Sequence, residues 1–347
     1  MLLEQIGADV RVRELFRPYE ADGLELGRVS FAAREQYRVC LESADCEAVP
    51  AGRLRWEDTL PAVGDWVAAR RVDAELALIE AVLPRRTQFS RRAPGSGAAE
   101  QVIAANVDVA LVVCGLDGDF NLRRLERYLV LARESGAEPV LVLSKADLCE
   151  EAAERVEAVR RIAPGVPVVP LNARETVEPL RPLVRGRTVA LVGSSGAGKS
   201  TIANGLLRDS RQATQAVRDS DSRGRHTTTS RMLLRLEGGG AIIDNPGMRE
   251  LQLWAGEDAL DGVFDDIAEL GERCRFRDCT HAAEPGCAVR EALERGELDA
   301  SRWESYRKLG AELRHRAVER GTQSRLAERK KWRAIHKAMK AHPKYNR

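Results

Sequence analysis

The chain has 347 residues, with 55 Lys/Arg against 53 Asp/Glu, a formal net charge of +2, and 44% apolar residues. That length allows two or three domains with cores of their own, and no apolar run approaches the ~18 residues that a membrane-spanning helix needs. The start, Met1-Leu2-Leu3-Glu4-Gln5, soon becomes charged and predicts no signal peptide, and the seven cysteines form no disulfide framework, which predicts a reducing cytoplasm.

Between Gly27 and Arg86 the chain offers short β-favouring pieces: Gly27–Phe31, Gln36–Leu41, Asp65–Ala69 and Leu76–Leu83. Turn residues separate them, notably Pro50-Ala51-Gly52 and Pro61 to Asp65. Four or five such strands suit a small barrel over residues 1–90, and an OB-fold is the expectation, with an SH3-like barrel as the alternative. The basic stretch Arg85 to Arg92 then leads through Pro94-Gly95-Ser96-Gly97 and reads as a linker.

Residues 91–256 alternate between apolar strands and helical patterns, the signature of a parallel α/β sheet. Asp108–Val113 is a strand, Leu122–Ala132 has helical spacing, and Gly136 stands past its end. A second apolar run, Pro139–Leu143, ends in Ser144-Lys145-Ala146-Asp147. This tetrapeptide resembles the [NT]-K-x-D guanine-specificity motif of GTPases, whose aspartate accepts from the base and whose lysine stem lies along it. A third run, Val166–Leu171, ends in Asn172-Ala173-Arg174, where GTPases place a Ser-Ala. Ser144 and Asn172 depart from the usual residues, and the loop after Arg174 lacks the expected glycine, so guanine contacts are where the pattern is weakest.

Strand-like Thr188–Val192 is followed by Gly193-Ser194-Ser195-Gly196-Ala197-Gly198-Lys199-Ser200 and then by helix-like Thr201–Leu207. The pattern G-x4-G-K-[ST] in that context is a phosphate-binding loop. Its glycines let backbone N–H groups curl around phosphate oxygens, its lysine reaches the terminal phosphates, and its serine ligates Mg²⁺. Further on, Gly224 to Thr229 precedes Ala241-Ile242-Ile243-Asp244-Asn245-Pro246-Gly247. The latter resembles the D-x-P-G motif, whose aspartate holds Mg²⁺ through water and whose glycine N–H senses the γ-phosphate. The base-recognition pair precedes the phosphate pair, the reverse of an ordinary GTPase. Each motif sits at one edge of a parallel sheet, so joining the old ends and cutting elsewhere preserves the site. The expected fold is therefore α/β, a circularly permuted P-loop GTPase domain between an N-terminal OB-fold barrel and a C-terminal, mainly helical zinc-binding domain.

Residues 257–347 carry the second chemical signal. Helical Ala259–Glu272 leads to Cys274, Cys279, His281 and Cys287, three thiols and one imidazole within 14 residues. A Cys3His set leaves no open position on a tetrahedral ion and predicts one structural Zn²⁺. Residues 301–347 hold 15 Lys/Arg against 4 Asp/Glu, a net +11 that leaves −9 for the rest. With Trp303, Tyr306, Trp332 and Tyr345 interleaved, this tail predicts contact with RNA phosphate.

Taken with Glu100 to Asp108, Gly224 to Thr229 and Asp244 to Glu250, the permuted order and the Cys/His cluster make the chain resemble the RsgA (YjeQ) family of small-ribosomal-subunit biogenesis GTPases. The resemblance covers most of the chain. It implies GTP hydrolysis stimulated by the small ribosomal subunit during late maturation around the decoding region; the expected partners are that subunit and its 16S-type rRNA, with no membrane partner and a monomeric chain. It also implies that Lys199 clamps the β- and γ-phosphates and that Mg²⁺ is held by Ser200, Asp244 and one threonine of Thr227–Thr229, here Thr228. Met248 stands where Ras-like enzymes place a glutamine, and the resemblance assigns the attacking water to His226. The nucleotide set is then Ser144, Lys145, Ala146, Asp147, Asn172, Ala173, Gly193 to Ser200 and Thr201, with His226, Thr228, Asp244 and Gly247 beside Lys199 in catalysis. Two other readings remain open: a metabolic P-loop kinase or nucleotidase, and an RNA-binding zinc adaptor that uses nucleotide only structurally.

Overall fold

A computed structural model describes residues 2–33, 36–57, 59–92, 100–207, 231–244, 258–315 and 318. The chain divides into two compact units, Met1–Ser90 with Val102–Leu251, and Arg91–Gln101 with Gln252–Arg347.

In the first unit, strands β1 (Glu25–Ala33), β2 (Gln36–Leu41), β3 (Asp45–Pro50), β4 (Trp66–Arg71) and β5 (Leu76–Val82) form a closed ring in the order β1-β2-β3-β5-β4-β1. Four of these strands follow the pieces predicted from β-propensity. The fifth, β3, is not legible as a strand because Asp45, Glu47 and Val49 point outward and only Cys46, Ala48 and Pro50 alternate inward. It is held by partners on both sides, antiparallel β2 and parallel β5. Register shifts at Val29/Phe31 and Ala68/Ala69 supply the local bends that closure requires. Val29, Val39, Leu41, Val67 and Ile79 fill the barrel with no solvent exposure. Ring order and closure are those of an OB-type barrel.

The stretch Gln88–Arg92, expected as linker, is strand β6, and it pairs with β7 (Glu100–Ala105) in a two-stranded ribbon. Strands β8 (Val109–Gly115), β9 (Glu138–Ser144), β10 (Val168–Leu171), β11 (Thr188–Val192), β12 (Arg231–Arg235) and β13 (Ala241–Asp244) then build a sheet in the order β10-β9-β8-β11-β13-β12. All neighbours are parallel except β12. All seven residues of β8 are buried, as expected of a strand covered on both faces. The helix Leu122–Ser135 packs on β8 and β9 with Leu125, Leu129 and Val130 inward. Asn121 caps its start, accepting from Arg124 N at 3.0 Å, and Gly136 ends it at φ 82°.

Barrel and sheet are hydrogen-bonded to each other. The end of β1 pairs with β12, Phe31 opposite Met232, so one sheet of 11 strands runs through both. Arg28 fastens the same joint. It is 1% exposed, donates to Gly64 O at 3.2 Å and Asn106 O at 3.1 Å and to Ile6 O, and stacks 4.8 Å from the Trp66 ring. Burial pulls its pKa down to about 9, which still leaves it charged at neutral pH.

In the second unit the expected helix Ala259–Glu272 is broken into Asp258–Asp261 and Asp265–Glu272. The break follows Gly262 and lets both Val263 and Phe264 turn inward, 3% and 0% exposed. Helix Ala288–Arg295 and a helix over 300–315 follow. Arg302 binds Asp266 through two 2.7 Å bonds and lies 4.7 Å from the Phe264 ring, joining the helix over 300–315 to the start of Asp265–Glu272.

Candidate nucleotide site and metal centre

The carboxyl ends of the parallel strands lie at one sheet edge, the place where open α/β sheets bind ligands. Here β9 delivers Ser144 to Asp147, β10 delivers Asn172 and Ala173, β11 delivers the loop Gly193 to Ser200, and β13 delivers Asp244. Residues that are up to 100 positions apart in sequence thus meet on one edge.

The loop after β11 closes tightly because its glycines take conformations that side chains rarely adopt. Gly193 has φ 146°, and a Cβ there would lie 2.2 Å from Val113 O. Gly198 has φ 96° and precedes the helix Lys199–Leu206, whose first N–H groups face the loop. Lys199 Nζ crosses the loop and donates to Gly193 O at 2.6 Å and to Ser194 O. Ser195, Gly196, Ser200 and Thr201 face solvent, while Ala197 is buried.

The base-side segment is tied directly to this loop. Ser144 is 1% exposed, and its hydroxyl donates to Ala197 O at 2.5 Å. The departure from the usual asparagine therefore retains a brace between the two motifs. Lys145 takes a left-handed conformation, φ 58°, that turns the chain into Ala146–Leu148, with Asp147 exposed. Its ammonium donates to Asp117 at 2.5 Å, and that hydrogen bond holds the Asp117 carboxyl below the usual carboxylate range. Asn172 shapes the next turn, accepting from Arg174 N through its side chain and from Glu175 N and Thr176 N through its carbonyl. Ala173, Arg174 and Thr176 line a recess together with Thr201 and Asn204 of the phosphate-loop helix.

Sequence reasoning missed two residues at this edge. Asp117 lies in the loop after β8 and Arg124 in the first turn of the helix Leu122–Ser135, in a stretch that matches no motif. The only available signal was position, since a loop at the carboxyl end of a parallel strand borders the site. Asp244 ends β13 exposed beside β11. His226, Thr228 and Gly247, with Gly224 to Thr229 and Asn245 to Glu250, lie outside the described residues, as does most of the basic tail.

In the second unit Cys274, Cys279, His281 and Cys287 come together, their donor atoms all within 4.8 Å of one another. Cys274 Sγ is 3.9 Å from Cys287 Sγ, and His281 Nδ1 is 3.5 and 3.4 Å from these sulfurs. A tetrahedral ion about 2.3 Å from sulfur and about 2.0 Å from nitrogen requires edges of about 3.8 and 3.5 Å, so the donors fit a structural metal. Glu284 fixes the turn that carries His281. Its carboxylate accepts from Thr280 Oγ1 and N and from the N–H groups of Ala282 and Ala283. Those bonds, Thr280's foremost, hold its pKa down at about 2. Trp303 meets the His281 ring edge-on at 5.8 Å. The other four cysteines are free thiols, and burial pushes Cys40, Cys46 and Cys114 up in pKa.

Counted from the phosphate-loop strand, the sheet order reads sixth, fifth, fourth, first, third, second. That order, with a phosphate loop after the first strand and S-K-A-D at the end of the fifth, defines a P-loop GTPase domain whose chain is circularly permuted. The family described as RsgA GTPase matches residues 82–254. A small ribosomal subunit biogenesis GTPase RsgA of Opitutus terrae is 46% identical, with 98% of each chain covered. The crystal structure of YjeQ from Thermotoga maritima superposes with a TM-score of 0.64 at 27% identity, covering 84% of this chain and 98% of that one. YloQ, described as a circularly permuted GTPase, gives 0.60 at 26% identity, covering 84% and 96%. The chain belongs to the RsgA GTPase family.

Proposed function

We propose that this protein hydrolyses GTP on the small ribosomal subunit, late in the subunit's assembly, and that docking on the subunit stimulates hydrolysis. One observation carries the reading: a complete phosphate loop and the S-K-A-D segment share one sheet edge in permuted order, within a chain related end to end to small-subunit biogenesis GTPases. Residues 1–90 act as an OB-fold barrel, 91–256 as the GTPase and 257–347 as a metal-binding domain with a basic tail.

Each residue's part follows from its chemistry. Asp147 accepts from the guanine N1–H and amino group, the Lys145 stem lies along the base, and Asn172 and Ala173 offer backbone to its carbonyl. The N–H groups of Gly193 to Thr201 surround the phosphates, and Lys199 bridges β and γ. Mg²⁺, when bound, neutralises charge developing on the phosphates. Ser200, Asp244 and Thr228 have the oxygens to hold it, Asp244 through water. Gly247 senses the γ-phosphate through its N–H, and His226 orients the attacking water. Met248 has no group able to do so, which fits slow turnover away from the subunit.

In the metal centre, three thiolates and one imidazole suit Zn²⁺ in a structural role. The adjoining turn exposes Arg273, Arg275, Phe276 and Arg277, with the Arg275 guanidinium 5.4 Å from the Phe276 ring. Arginines around an exposed ring suit rRNA, whose phosphates and unpaired bases they can hold. The protein works as a cytoplasmic monomer.

The test compares GTP and ATP hydrolysis with and without small ribosomal subunits. GTP-selective turnover that rises strongly with subunits is expected. Equal use of ATP, or no response to subunits, would overturn the reading.

A further inference from the structure

The first turn of the helix Leu122–Ser135 reaches the phosphate loop through the Arg124 side chain. Arg124 Nη1 donates to Ser194 Oγ at 2.6 Å, across 70 positions of sequence. The same guanidinium pairs with Asp119, whose second carboxylate oxygen is buried without a hydrogen-bond partner. Asp119 is itself set by its neighbours, its N–H donating to Asp117 at 3.1 Å and its carbonyl facing Cys114 Sγ at 3.7 Å. Ser194 is thereby gripped at two atoms, its hydroxyl by Arg124 and its carbonyl by Lys199 Nζ.

We infer that Arg124 is a positioning residue of the nucleotide site: it clamps Ser194, so that the Ser194 carbonyl holds the Lys199 ammonium where the β- and γ-phosphates of GTP bind. The inference rests on the GTPase reading and goes beyond it, since no motif contains Arg124. An Arg–Asp pair with side chains 40% and 18% exposed adds little to stability by itself. The contact across to Ser194 is what gives the pair a task. Both contacts come from the one Nη1, and the planar guanidinium fixes where that nitrogen's two N–H bonds point, which a lysine's freely rotating ammonium does not.

Without the guanidinium, Ser194 is free to rotate and the Asp119 carboxylate stands uncompensated beside the phosphate loop. Both changes shift or repel what Lys199 must hold. A displacement near 1 Å at the reacting phosphates lowers turnover by about 10- to 100-fold.

The experiment measures GTP hydrolysis by the full-length protein, with subunits, for wild type, Arg124→Ala, Arg124→Lys, Ser194→Ala and the Arg124→Ala/Ser194→Ala pair. Expected are a kcat loss of about 10-fold or more for Arg124→Ala with KM changed less than threefold, and only partial recovery in Arg124→Lys. Ser194→Ala should lose a similar factor, and the double variant should be no worse than either single one, because both remove one contact. Single-variant losses that multiply in the double variant, or a kcat within twofold of wild type in Arg124→Ala, would overturn the inference. If Arg124→Ala does not fold, Ser194→Ala and Arg124→Lys carry the same comparison. Wild-type turnover of GTP in the same assay tests the GTPase reading separately.

Discussion

Ser144→Ala removes one hydroxyl from the contact between the base-side and phosphate-side motifs. Ser144 is 1% exposed and its Oγ lies 2.5 Å from Ala197 O, with Cys114 O at 3.4 Å as a weaker alternative. Stripping the donor from a buried carbonyl costs about 1–3 kcal/mol. Because Ala197 belongs to the loop itself, the loss falls on the binding-competent shape of that loop. A loss of 1–2 kcal/mol in its favour raises the apparent Kd by about 5- to 30-fold. The brace lies behind the loop section used by the phosphates that GTP and GDP share, so both nucleotides should weaken equally. Titration of fluorescent GDP and GTP analogues, with urea denaturation alongside, reads both quantities. A change under twofold, or one confined to GTP, would refute the reasoning.

The buried pair of Asp65 and Arg85 should break asymmetrically. Two 2.8 Å bonds join them, with Asp65 side-chain exposure 0% and Arg85 21%, so Arg85→Met strands a charge that cannot reach water. It should cost about 3–5 kcal/mol in urea denaturation, and Asp65→Asn less. Burial already raises the Asp65 pKa, so its ionised form opposes folding as pH rises above the carboxylate range. Loss of Arg85 raises it further, and the defect of Arg85→Met should grow from pH 5 to pH 8; a pH-independent defect would count against this account. Glu284→Ala unties the turn at His281 and should weaken metal retention about 10- to 100-fold in a chelator competition. The wild-type pKa of about 2 means that this contribution is complete above about pH 4.5 and lost only as pH falls towards 2, so the difference should stay flat from pH 6 to 8. Cys279→Ser should release the metal, and metal loss should lower the melting temperature of the second unit's helices, read by circular dichroism.

Much of the site was legible in the sequence, because each motif is a short continuous string whose chemistry is complete within it. Gly193 to Ser200 needs only its own backbone to curl around phosphates. Cys274 to Cys287 holds all four donors within 14 residues, and the order of S-K-A-D before G-x4-G-K-S announces the permutation without any coordinates. The barrel was legible as four strands of β-branched and aromatic residues. Its fifth strand was not, because Cys46, Ala48 and Pro50 carry too little apolar pattern and rely on β2 and β5 for their hydrogen bonds. Tertiary structure alone decided that β1 would pair with β12, that Ser144 would brace Ala197, that Lys145 would take Asp117 as partner, and that Arg124 would reach Ser194. In each case the two groups are far apart along the chain. They interact only because the sheet sets the elements that carry them side by side, and the free energy of such a contact depends on that proximity rather than on either local segment.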